Sequence, residues 1–142
     1  MTPTQRSLAL LKSRGYLCAI VEHWNSYVKI RQDLFGFADI LAVHENTVFL
    51  VQTTTGDNVS KRVEKIRSTA AAKLWWLPPT RLIVVHGWRK VGARGKRKLW
   101  ECREVGVNPW ETSNDTDPDN PLPHRDRPGV VRGDEREMPT ER

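Results

Sequence analysis

Asp39 sits inside an apolar run, Gly36-Phe37-Ala38-Asp39-Ile40-Leu41-Ala42-Val43, and a second run follows closely, Val48-Phe49-Leu50-Val51-Gln52-Thr53-Thr54. No other feature limits the folding of the chain as tightly. Both runs read as strands, and His44-Glu45-Asn46 is short enough to turn one back along the other. Period-two alternation puts Asp39 on one face with Leu41 and Val43, and puts Gln52 together with Thr54. A carboxylate buried alone costs several kcal/mol, so the fold must bring Asp39 a donor, a cation or water. A divalent metal is one solution, and a structural aspartate that caps a turn or pairs with an arginine is the other.

The flanking segments fall into order around these strands. Thr2-Pro3-Thr4-Gln5 predicts a helix start, with Thr2 as cap, Pro3 in the first turn and Gln5 closing a capping box. Gly15 supplies the stop, and Leu8 and Leu11 share the buried face. Tyr16 to Trp24 is apolar enough for a central strand, with Glu22 near its end as a second strand carboxylate. Residues 25–34, polar and basic, form a loop or hairpin. Gly56-Asp57-Asn58 turns into a helix from Val59 whose apolar stripe is Val59, Val63, Ile66, Ala70 and Leu74, ending before Pro78-Pro79. Arg81 to Trp88 predicts a strand covered on both faces, and a cationic link joins it in a hairpin to a last strand, Leu99 to Val105.

Charge divides the chain. Residues 1–110 carry 18 Lys+Arg against 8 Asp+Glu, 18 − 8 = +10, whereas residues 111–142 carry 5 − 9 = −4. This predicts one domain over 1–110 and a disordered acidic tail over 111–142, where few large apolar residues are present to offset ordering entropy. A body so basic attracts polyanions, DNA first among them, and the tail could screen its own basic face. Arg89, Lys90, Arg94, Lys96, Arg97 and Lys98 place six cations within ten positions, interrupted by Gly92 and Gly95. They read as phosphate contacts. Lys61, Arg62 and Lys65 on the following helix are a second candidate DNA contact or a solvated face. Cys18 and Cys102 lack the Cys-x-x-Cys spacing of a zinc site and read as reduced packing residues. No run approaches the roughly 20 apolar residues of a membrane span, and no signal segment is evident, which predicts a cytoplasmic protein without membrane association. Trp75, Trp76, Trp88 and Trp100 read as core residues, and His86 as a satisfied structural histidine.

The order helix, three strands, helix, two strands, with polar groups at Glu22, Asp39 and Gln52-Thr53-Thr54, resembles the restriction-endonuclease-like, or PD-(D/E)XK, nuclease superfamily. Ala38-Asp39 stands at the Pro-Asp position and Gln52-Thr53-Thr54 at Glu-x-Lys. The stretch Arg31 to Asp39 is similar to small phage and bacterial proteins of this type, of the Holliday junction resolvase kind. The resemblance spans approximately residues 4–105. It implies an α/β fold with a mixed central sheet flanked by helices. It also implies a Mg²⁺- or Mn²⁺-dependent endonuclease that hydrolyses phosphodiester bonds, with branched DNA among its substrates and a homodimer among its assembly states. Asp39, Gln52, the Thr53 carbonyl and Glu22 would then be the metal ligands. Two departures stand out. Gln52 lacks the negative charge of the family glutamate, and Thr54 lacks the ammonium of the lysine, so a cation must come from elsewhere. Lys61 is the expected substitute, with Lys65, Lys29 and Arg31 as alternatives. A degenerate DNA-binding module of the same fold, or a protein-interaction adaptor using the tryptophans, are the competing functions.

Overall fold

Where the chain begins, the capping box forms as the spacing demands. In the computed structural model, which describes residues 1–111, Thr2 Oγ1 accepts from Gln5 N at 3.2 Å and Thr2 N donates to Gln5 Oε1 at 2.9 Å. This launches α1, Pro3–Ser13, which ends at Gly15 with φ +89°. The remaining elements are β1 (Leu17–Ile20), β2 (His23–Asn25), β3 (Ile30–Gln32), β4 (Ile40–His44), β5 (Thr47–Thr55), α2 (Val59–Arg67), α3 (Ala70–Trp75), β6 (Arg81–Val91) and β7 (Leu99–Val107).

Five strands make one mixed sheet in the order β1-β4-β5-β6-β7, while β2 and β3 form a separate hairpin. Neighbours are antiparallel except β5 and β6, which run parallel because α2 and α3 carry the chain back between them. The alternation expected for β5 holds. Leu50 packs with Val59, Val63, Ile66, Ile83, Val85 and Val107 beneath α2, whereas Val51 packs with Leu11, Ile40 and Ala42 beneath α1. The fold is thus an α/β sheet with a helix layer on each face.

Several local expectations are corrected. The segment Tyr16 to Trp24 is not one central strand: β1 stops at Ile20, lies at the sheet edge, and Trp24 belongs to β2. The helix from Val59 does not run through to Leu74. Ser68 Oγ and Thr69 Oγ1 both donate to Lys65 O, at 2.8 and 2.7 Å, and the chain extends at Thr69 before α3 starts. Side-chain hydroxyls that compete for helix carbonyls weaken the helix at that point. The new phase of α3 buries Ala72 and leaves Leu74 83% exposed. Cys18 and Cys102 are free and half-buried. Of the tail expected over 111–142, only Glu111 lies within the described residues; it is buried, 3.6 Å from Arg67 Nη2. No helix among the described residues is long and apolar enough to cross a membrane.

His86 holds α1 to the sheet. Its Nδ1 lies 2.9 Å from Ser7 Oγ, which also accepts from Trp88 Nε1 at 2.8 Å, and its Nε2 faces Glu104 Oε1 at 3.4 Å. Glu104 in turn receives both terminal nitrogens of Arg14 at 2.8 Å. A lone pair on Nε2 would oppose the carboxylate, so the proton belongs on Nε2 and Nδ1 accepts from Ser7. Serine, histidine and glutamate in line suggest a hydrolytic triad, but Ser7 is 0% exposed and one of its lone pairs is held by Trp88. Ser7 therefore has no route to a substrate, and the network is structural.

Gly87 sets how closely α2 approaches. A Cβ there would collide with Val59 Cγ2 and come within 3.3 Å of Gly56 Cα. Valine is stiff at χ1, so the helix start itself would have to lift. Gly87→Ala is expected to cost about 1–3 kcal/mol in urea titration; an unchanged midpoint would show that α2 can ride away from the sheet freely.

Candidate metal centre

Three carboxylates from three different segments converge at one end of the sheet. Asp39 N donates to Val51 O at 2.8 Å and Val21 N donates to Asp39 O at 2.9 Å, so Asp39 extends β4 by one step between its two neighbours. The register sets Val21 opposite Asp39, and Glu22 follows one residue further on, within reach of the same spot. Asp33 arrives by a tight turn. Phe35 and Gly36 adopt φ of 56° and 83°, and Leu34 and Ala38 exchange hydrogen bonds of 2.9 and 3.0 Å, so the chain doubles back and sets Asp33 beside Asp39. One oxygen from each of Glu22, Asp33 and Asp39 lies within 4.8 Å of the others.

Asp39 is fixed by donors from β5. Its Oδ2 accepts from Gln52 Nε2 at 2.7 Å, from Thr53 N at 2.8 Å and from Thr53 Oγ1 at 3.1 Å. Burial nonetheless pushes the Asp39 carboxyl up from 3.8 to about 7. The Thr53 N–H opposes that rise, while a hydrogen bond with Asp33 and the charges of Asp33 and Glu22 add to it. Asp39 therefore keeps its proton to much higher pH than an ordinary aspartate. Two cations offset the remaining charge: Lys65 Nζ lies 3.5 Å from Asp33 Oδ2, and Arg31 Nη1 lies 3.8 Å from Glu22 Oε1.

Gln52 is 2% exposed, and with its amide nitrogen given to Asp39 its Oε1 has no partner among the described residues. A buried amide oxygen left in this way at the wall of a polar cavity is suited to a cation or water. The cavity, about 540 Å³, is lined by these groups together with Pro3, Thr4, Thr54, Thr55, Asn58 and Arg62. An all-oxygen set of carboxylates and one amide is donor chemistry suited to a hard divalent cation, and the residues present could hold one.

The sequence-chosen residues fare unequally. Asp39, Gln52, Thr53 and Glu22 meet, although Thr53 presents its N–H and hydroxyl to Asp39, and that hydroxyl also lies 2.8 Å from Thr4 Oγ1. Arg62 and Lys65 line the cavity, whereas Lys61 does not, because its position on α2 turns it to solvent. Asp33 was missed. Its signal was two aspartates six positions apart around a Gly36-centred turn. Since β5 and β6 are parallel and β7 returns antiparallel, the β6–β7 hairpin projects from the same sheet end as the carboxylates. It carries Arg89, Lys90, Arg94, Lys96, Arg97 and Lys98; Arg89 pairs with Glu101 at 3.3 Å and Lys98 Nζ reaches Gly92 O at 3.5 Å. Contrary to the core assignment, Trp100 is exposed, while Trp88 is buried. Comparisons with protein-family models, curated proteins and solved structures yield no match.

The sign of the Asp39 shift predicts a stability effect. A carboxyl whose folded value lies above its ordinary one favours folding most below pH 3.8, and that contribution is lost as pH rises through about 7. Asp39→Asn removes the penalty while keeping an acceptor for Thr53 N. In chelator at pH 8 the variant should be more stable than the parent by on the order of 2–4 kcal/mol, with the gap closing toward pH 4. Thermal melts at the two pH values read this directly, and equal melting temperatures at pH 8 would contradict the burial penalty.

Proposed function

We propose that this chain is a divalent-metal-dependent deoxyribonuclease of the restriction-endonuclease-like type. The observation that carries it is the meeting of Glu22, Asp33 and Asp39 with the unpartnered Gln52 Oε1 at the sheet end from which the cationic β6–β7 hairpin projects. Opposite charges side by side suit a phosphodiester: the anionic strand needs the cations for binding, and the carboxylates need an ion to accept it.

Asp39, Asp33, Glu22 and Gln52 Oε1 would hold Mg²⁺ or Mn²⁺. A metal held there would supply Lewis-acid polarisation of a phosphate and a more acidic attacking water. Thr53 N–H and Gln52 Nε2 keep Asp39 Oδ2 aimed while the cation is exchanged. Asp33 pairs with Lys65 at 3.5 Å, and an ion that engaged Asp33 would free that ammonium for the phosphate. Lys65 thus replaces Lys61 as the charge stabiliser of choice, because it lines the cavity and Lys61 does not. Arg62 and Arg31 extend the positive wall. The hairpin cations hold flanking backbone.

Purified protein with Mg²⁺ or Mn²⁺ should nick plasmid, branched or single-stranded DNA. Asp39→Ala should abolish cutting, Lys65→Ala should lower the rate about 100-fold, and Lys61→Ala should change it little. If every DNA form stays intact with either metal, the enzyme proposal falls. The neutral Gln52 and Thr54 favour one second reading, a binding module without chemistry. It requires salt-sensitive DNA affinity that is indifferent to Asp39→Ala.

A further inference from the structure

We propose that Arg6, Trp100 and Lys90 form a preassembled phosphate clamp that holds a DNA strand at a distance from the carboxylate pocket. The Arg6 guanidinium lies over the Trp100 ring, 3.7 Å from its centroid, and Lys90 Nζ lies over the same ring at 5.4 Å. Trp100 remains 42% exposed, so this is a surface assembly and not a core contact. Among the described residues no carboxylate pairs with Arg6 or Lys90; the nearby Glu101 is held by Arg89. Two cations drawn to one indole without an anion between them repel each other, and an incoming phosphate relieves that repulsion. Stacking leaves the edge of a guanidinium free to give parallel N–H bonds to phosphate oxygens, so Trp100 orients Arg6 without consuming its donors.

Its position fits a strand that also reaches the pocket. His86 and Trp88 face α1 through Ser7, so by alternation Lys90 does too, and its register partner Trp100 shares that face. Arg6 belongs to α1, whose first turn contributes Pro3 and Thr4 to the cavity wall. Trp100 is two strands across from Gln52 and five register steps further toward the same sheet end. That is roughly 20 Å, or about six nucleotides of one strand. Gln52 itself faces α2, but Thr53 beside it faces α1 and also lines the cavity; between Thr53 and Trp100 the α1-facing positions of β5 and β6 are Thr55, His86 and Trp88, and Glu104 on the same face of β7 has its charge held by Arg14.

The clamp rests on the nucleic-acid reading of the pocket but does not need cleavage. Affinity of the full chain for a labelled 20-nucleotide strand and for its duplex is measured in chelator across a salt series. Arg6→Ala and Trp100→Ala are each expected to weaken binding about 3–10-fold and to lower the slope of log K against log salt by about one. Trp100→Phe should retain most of the affinity, and the double variant Arg6→Ala/Trp100→Ala should lose less than the product of the two single losses, since one residue acts through the other. Melting curves check that the variants fold. Parental affinity and slope in Trp100→Ala overturn the clamp, as does equal weakening by Trp100→Phe and Trp100→Ala. A loss confined to phosphatidylserine vesicles, with DNA binding spared, overturns it in favour of a membrane surface. No DNA binding by the parent chain removes both the clamp and the nuclease proposal, whereas binding without cutting removes only the enzyme.

Discussion

Asp39 imposes the constraint around which this end of the fold is arranged. A carboxylate at a strand end, buried and with Asp33 and Glu22 as neighbours, resists ionisation. What keeps it in place is the register of β4 against β5, which sets Ile40 opposite Val51 and so brings Gln52 and Thr53 to Oδ2. Slipping that register by one residue would turn Ile40 and Ala42 away from α1 and Asp39 away from its donors together. The apolar packing beneath both helices therefore stabilises a polar site that would not assemble by itself.

Much of this was legible because strands and capped helices obey short-range rules. Thr2, Pro3 and Gln5 encode the start of α1 within four residues, and alternation alone places Gln52 opposite the helix face of Val51. Asp33 was hidden because its role depends on a left-handed turn at Phe35 and Gly36, and nothing in local periodicity says where such a turn delivers the preceding side chain. The exchange of Lys61 for Lys65 has a similar cause: both lie in the first two turns of α2, and which one meets the carboxylates depends on how α2 seats over Gly87. The break between α2 and α3 was in principle readable from Ser68-Thr69, yet the apolar stripe through Ala70 and Leu74 outweighed it. The edge position of β1 was not readable at all, since a short apolar strand looks alike at an edge and in a centre.

Topology explains why charge of both signs collects at one end. The α2–α3 crossover makes β5 and β6 parallel, so both strands finish on the side where Asp39 begins β4 and Glu22 follows β1. Strand ends beyond a parallel pair form a crevice that the flanking helices leave open. Here α1 enters the crevice with its first turn, and α2 with Arg62, Lys65 and the preceding Asn58. The β6–β7 hairpin then carries the sheet past the crevice as a cationic extension.

The ion pairs of the pocket give this arrangement a sense of direction. Lys65 beside Asp33 and Arg31 beside Glu22 are half-exposed contacts at 3.5 and 3.8 Å, long enough and wet enough to be worth little individually. Asp39 is held differently, by three short donors from β5 that are all buried. An incoming cation would therefore meet one anchored carboxylate and two that can trade a weak side-chain partner for a metal bond. Each such trade would leave Lys65 or Arg31 as a positive side chain lining the cavity without its carboxylate partner.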